Sequence, residues 1–240
     1  MELLSCPRDT LPQAWSVLIA ANRSLPGSER VGRLLASSTT ITGLAPNAAR
    51  EENALDNLEK FFARVIEGLQ QAGVDYMVVG SFASTYHGIP RTTRDLDVVC
   101  QLDATALADL LARFPAEDGF YVSQEAAAEA VRRRGMFNIV HAASGWKVDI
   151  IVKKSRSFSQ REFARRLAVR LLDQTVFVAS AEDTILTKLE WARTSLSERQ
   201  LRDVSEILDV QGEALDQEYL ASGLAELGLE DVMARARGPW

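Results

Sequence analysis

The chain has 240 residues, is 47% hydrophobic and 25% charged, and carries a formal net charge of −6. It is long enough to bury a core without disulfides or a structural metal. Its acidic balance excludes a dominant basic surface for duplex DNA, though a local basic groove for RNA stays compatible with it. Cys6 and Cys100 lie far apart, and with two scattered histidines they cannot close a four-ligand zinc shell. Reduced thiols predict a cytoplasmic location. No targeting or membrane-spanning segment is expected, because the apolar stretch from Trp15 to Ala21 is brief and no run approaches a bilayer span.

Residues 1–50 carry loop signals (Ser24-Leu25-Pro26-Gly27-Ser28, Ser37-Ser38-Thr39-Thr40, Pro46-Asn47) and little periodicity. They read as a flexible leader, with a short helix from Pro12 to Asn22. From Leu55 to Leu69 apolar residues recur at helical spacing, and Gly73 ends the run. Tyr76-Met77-Val78-Val79 reads as a buried strand running into Gly80-Ser81, with a short helix over Phe82 to His87. Asp95 to Cys100 alternates as a strand, and Thr105 to Phe114 forms a helix. A short strand at 120–122 and a helix at 125–133 follow. Two strands, 136–141 and 146–152, are joined by the Gly145 turn. After a basic helix over 159–166 and a hairpin over 169–178, the chain reads as helical to residue 236.

Strands and helices thus mix up to about residue 179 and helices alone follow, which predicts an α+β core with a helical annex. The expected organisation is a leader over 1–50, a core over 51–179 and a helical C-terminal lobe over 180–240. Trp146 and Trp191 read as core or lobe-interface aromatics.

One segment carries most of the chemistry. A buried strand ends at Gly80-Ser81, where a helix begins and offers free amides and a positive partial charge to a phosphate. Gly80 would let the phosphate approach the backbone, and Ser81 would add a hydroxyl at the N-cap. Thirteen residues separate Ser81 from the pair Asp95-Leu96-Asp97. Residues two apart on a strand share a face, so both carboxylates project together. A divalent cation is the cheapest remedy for their repulsion, and magnesium suits hard oxygen ligands that also meet substrate phosphates.

Asp149 lies alone in the apolar strand Lys147-Val148-Asp149-Ile150-Ile151-Val152. An acid there is costly to bury without compensation. Beside the Asp95 strand it would complete a three-carboxylate site for two metal ions, or serve as general base. Arg94 and, less strongly, Arg91 precede the acidic pair and could steer a triphosphate or merely neutralise the acids as a structural pair. The runs Arg132-Arg133-Arg134 and Lys153-Lys154 read first as solvated faces.

Gly80-Ser81, a spacer, Asp95-x-Asp97 and the isolated Asp149 together resemble the signature of the DNA polymerase β-type nucleotidyltransferase superfamily. Within it the chain is most similar to the bacterial AbiEii-like group, which includes toxins of type IV toxin–antitoxin systems. The likeness continues through Glu182-Asp183-Thr184-Ile185-Leu186-Thr187-Lys188 and Glu198-Arg199-Gln200-Leu201-Arg202-Asp203, which are similar to the group's Lys and Arg-x-Lys/Arg-Asp motifs. The resemblance implies a mixed sheet with flanking helices and a helical lobe across a nucleotide cleft. It implies transfer of a nucleoside monophosphate from a nucleoside triphosphate, with magnesium as cofactor. It also implies that Lys188 contacts the phosphates and that Asp203 orients Lys188 or helps at the reacting centre. The acceptor stays open among a tRNA, a protein and a small molecule, and a cognate antitoxin would accompany the toxin reading. Two rivals use the same residues: a non-catalytic nucleotide-binding or toxin–antitoxin regulatory protein, and a metal-dependent nuclease or phosphatase that hydrolyses without making an adduct.

Overall fold

The computed structural model describes residues 20–39, 58–91, 93, 95–171 and 174–238. Helix α1 spans Gly27–Thr39 and α2 Leu58–Gln71. Strand β1 (Tyr76–Val78) leads into α3 (Gly80–His87), and β2 (Asp95–Cys100) into α4 (Ala104–Leu111). Strand β3 (Phe120–Tyr121), helix α5 (Gln124–Arg133), strands β4 (Met136–His141) and β5 (Lys147–Val152) and helix α6 (Ser157–Ala164) follow. The hairpin β6 (Leu167–Leu171) and β7 (Gln174–Val178) closes the mixed part. Helices α7 (Ala181–Ser195), α8 (Glu198–Gln211), α9 (Gln217–Leu227) and α10 (Glu230–Arg237) complete the chain.

The expected α+β architecture, a mixed sheet with flanking helices and a C-terminal helical lobe, is the one found. Among the described residues, seven strands form one sheet in the order β3-β4-β5-β2-β1-β7-β6. The pairs β2–β5 and β1–β7 are parallel and the others antiparallel. The chain leaves β2 and returns as β5 only after α4, β3, α5 and β4, a crossover that lays two distant segments side by side.

Among the described residues the buried apolar side chains form two clusters. The larger holds the sheet with α1, α2 and α3, where Phe62 stacks on Phe82 at 5.0 Å. The smaller joins Phe158 of α6 to Ile185, Leu189, Leu201, Val204, Ile207 and the last two helices. In α2 the stripe Leu58, Phe61, Phe62, Val65, Ile66, Leu69 follows the helical period and is buried along its length.

The leader expectation needs correction over α1. Val31, Leu34 and Leu35 are buried in the larger cluster at i, i+3, i+4 spacing. Arg30 fastens the helix, donating to the carbonyls of Asn22, Leu25 and Tyr86 at 2.6 to 2.8 Å. Three apolar residues and one arginine suffice to dock a segment whose Ser and Gly content reads as loop. The expected helix over Pro12 to Asn22 lies largely outside the described residues, of which 20–23 are helical. Among the described residues no helix is long and apolar enough to cross a membrane.

Candidate active site

Strand register brings the distant acids together. In the parallel pair β2–β5, Asp95 lies opposite Lys147 and Asp97 opposite Asp149. Leu96, Val98, Val148 and Ile150 alternate with them and are buried in the core. The three carboxylates therefore share the other face of the sheet. Asp149 is 8% exposed. Burial, then the neighbouring Asp149 and Asp95 charges, push the Asp97 carboxyl up to about 6.

Lys147 was not singled out as a site residue by its sequence context. Its Nζ donates to both Asp149 oxygens at 3.0 and 3.2 Å and stands 3.5 Å from Asp95 Oδ2. Burial alone would lower this ammonium, but Asp149 and Asp95 outweigh it and raise it. The overlooked signal was a lysine two residues before a lone acid, hence on the same strand face.

Gly80 begins α3 directly over Asp97. Its φ is +61°, and a Cβ there would lie 2.0 Å from Asp97 Oδ2. The glycine is thus required by the carboxylate's close approach as well as by backbone conformation. We expect Gly80→Ala to cost about 1–3 kcal/mol, read as a lower urea midpoint, and to displace Asp97.

Ser81 differs from expectation. The N-cap of α3 is Val79, with no side-chain cap, and Ser81 lies one residue inside the helix. Its hydroxyl donates to Thr93 Oγ1 at 2.8 Å, and Thr93 in turn donates to the Asp95 carbonyl at 3.1 Å. Ser81 therefore pins the approach to the acidic strand, while α3 still presents its N-terminal amides. Arg94 lies outside the described residues.

The helical lobe contributes a second charged cluster. Lys188 of α7 is 4% exposed; its Nζ donates to Asp203 Oδ2 at 2.6 Å and to Gln200 Oε1 at 2.9 Å. Asp203 of α8 also accepts from Arg91 and lies 3.5 Å from the Ser84 hydroxyl of α3. Burial alone would raise Asp203, but Lys188 and Arg91 outweigh it and hold its carboxyl below the usual range. The Lys188 charge also favours ionised Asp97, so the two clusters act on one another. A surface cavity beside Ser205, Asp209 and Arg237 contains none of these groups.

Glu206, one turn beyond Asp203, is 8% exposed, and burial followed by the Asp203 charge pushes it up to about 8. Because its folded value is raised, its contribution to stability is complete below the unfolded value of 4.5 and is lost as pH rises through about 8. Glu206→Gln should therefore raise Tm at about pH 9 by several degrees relative to wild type, and leave it nearly unchanged at about pH 5. Paired thermal melts at the two pH values measure this.

Among the described residues no group of three or more His, Cys, Asp or Glu side chains is placed so as to hold a metal ion as it stands. The donor chemistry still fits a hard divalent ion, since Asp95, Asp97 and Asp149 share one face, repel one another and offer only oxygen.

No protein-family model matches the chain, and no curated protein matches it in sequence. Several solved structures resemble it. An antigenic nucleotidyltransferase-like protein from Paracoccidioides brasiliensis is 20% identical, with a TM-score of 0.48 over 76% of this chain and 93% of its own. ANT(2")-Ia, solved in complex with adenylyl-2"-tobramycin, is 10% identical, with a TM-score of 0.49 over 70% of this chain and 95% of its own. The lincosamide antibiotic adenylyltransferase LnuA, lincomycin-bound, is 15% identical, with a TM-score of 0.46 over 63% of this chain and 97% of its own.

Proposed function

We propose that the protein is a nucleotidyltransferase that moves a nucleoside monophosphate from a nucleoside triphosphate to an acceptor. The observation that carries this reading is the pairing of Asp97 with Asp149 beneath the Gly80 turn, within the field of Lys188. Asp95, Asp97 and Asp149 are the residues that would hold magnesium, with two ions as the expected number. Bound there, magnesium would supply charge neutralisation at the phosphates and activation of the attacking oxygen.

The chain's own groups divide the remaining tasks. The first amides of α3, at Gly80 and Ser81, offer donors to phosphate oxygens. Lys188 supplies positive charge from a buried position, and Arg94 is a further phosphate contact in this reading. The acceptor oxygen attacks the α-phosphorus, the bond to the β-phosphate's bridging oxygen breaks, and its electron pair departs with pyrophosphate. The acceptor proton passes to Asp149, which the hydrogen bonds from Lys147 orient. The finer reading is an AbiEii-like toxin acting in the cytoplasm, with a cognate antitoxin as partner. The Lys188 and Asp203 motifs support it. The acceptor is a tRNA end, a protein side chain or a small-molecule hydroxyl.

The test is incubation with each α-labelled ribonucleoside triphosphate, magnesium and total cell extract. The reading expects label on an acceptor and stoichiometric pyrophosphate. Labelled monophosphate with no adduct would favour a hydrolase, and binding without turnover a regulatory protein.

A further inference from the structure

Arg91 lies four residues ahead of the acidic strand, yet its side chain reaches to α8. Its Nε donates to Asp203 Oδ1 and its Nη2 to Asp203 Oδ2, both at 2.9 Å. This two-pronged geometry is specific to a guanidinium meeting a carboxylate. Asp203 Oδ2 accepts from Lys188 Nζ as well. One carboxylate, 2% exposed, thus serves two cations.

That sharing changes what Lys188 can do. In a simple one-to-one pair, a buried lysine would have its charge cancelled by its partner. Here Asp203 is shared, and Lys188 spends two of its three donors, on Asp203 and Gln200. Without Arg91, Asp203 would lose two of its charge-assisted hydrogen bonds and would compensate Lys188 alone.

We propose that Arg91 is a positioning residue for polyphosphate binding: by sharing Asp203 with Lys188, it keeps the Lys188 ammonium fixed in place with charge unspent for an incoming triphosphate. The inference rests on the nucleotide-transfer reading and extends it to a residue that makes no phosphate contact of its own. It also explains how the loop before the acidic strand and the helical lobe act as one unit. Arg91, Lys188 and Asp203 come from three separate segments joined at a single carboxylate.

The test is calorimetric binding of each magnesium–ribonucleoside triphosphate in turn to the full chain, with the best binder used for comparison. The variants are Arg91→Gln, Arg91→Lys, Lys188→Met and the Arg91→Gln/Lys188→Met double variant. Arg91→Gln should weaken binding about tenfold. The double variant should bind scarcely worse than Lys188→Met alone, because Arg91 acts through Lys188. Arg91→Lys keeps the charge but loses the fork, so it should fall between wild type and Arg91→Gln. It also supplies the reading if Arg91→Gln does not fold. A purely structural role would lower Tm and leave affinity unchanged, or give independent losses that multiply in the double variant; either result would overturn the proposal. If the wild-type protein bound none of the triphosphates, the nucleotidyltransferase reading would fall and this inference with it. Wild-type binding with undiminished binding by both Arg91 variants would remove this inference alone.

Discussion

Replacing Asp97 with asparagine should reduce nucleotidyl transfer by about a thousandfold or more, while the protein becomes more stable above neutral pH. The first effect follows from its place at the centre of the carboxylate set, opposite Asp149 and below Gly80. The second follows from electrostatics. Burial and two neighbouring carboxylates raise Asp97 to about 6, so its ionised form is unfavourable in the folded chain. A raised folded value means that its contribution to stability is complete below the unfolded value of 3.8 and disappears as pH rises through about 6. The stability gain of Asp97→Asn should therefore be largest at about pH 8 and vanish near pH 4. Thermal melts at both pH values, beside a label-transfer assay, separate the two effects. A variant that lost activity and also melted lower at both pH values would show that Asp97 holds the fold rather than the chemistry.

Asp203→Ala should be the most destabilising single change in the helical lobe, costing about 3–5 kcal/mol. Lys188 is 4% exposed and, among the described residues, would keep Gln200 Oε1 alone as a hydrogen-bond partner. Arg91 would lose both prongs of its pairing at once. Lys188→Met combined with Asp203→Leu should recover part of the loss, because an apolar pair replaces an unpaired buried charge. Urea unfolding of the single and double variants measures this. A loss below about 1 kcal/mol for Asp203→Ala would mean that water already reaches the pair.

The acids of the site were legible in the sequence because a strand's two-residue period is strict. Asp95 and Asp97 had to share a face, and an acid among Val148, Ile150 and Val152 had to have a reason to be there. Their meeting was not legible from spacing alone. It depends on β2 pairing with β5, three strands later in the chain, as well as with β1, and on the register that sets Asp97 against Asp149. Arg91 was likewise opaque, since its partner lies 112 residues away on another element. Local signals misled at Ser81, where the residue type suits a cap but the N-cap lies two residues earlier, at Val79, and the helix begins at Gly80. Trp191 misled for a similar reason. Helix α7 buries Ile185, Leu189 and Ala192 on one stripe and turns Trp191 outward, 61% exposed, although it reads as a core or interface aromatic.

The most direct measurement is anomalous diffraction from crystals of the protein grown with manganese and a non-hydrolysable nucleoside triphosphate. The proposed chemistry requires anomalous density bounded by Asp97 and Asp149, with the nucleotide's phosphates completing the coordination near Gly80. A nucleotide bound elsewhere, or bound here with no metal signal among the three aspartates, would contradict it.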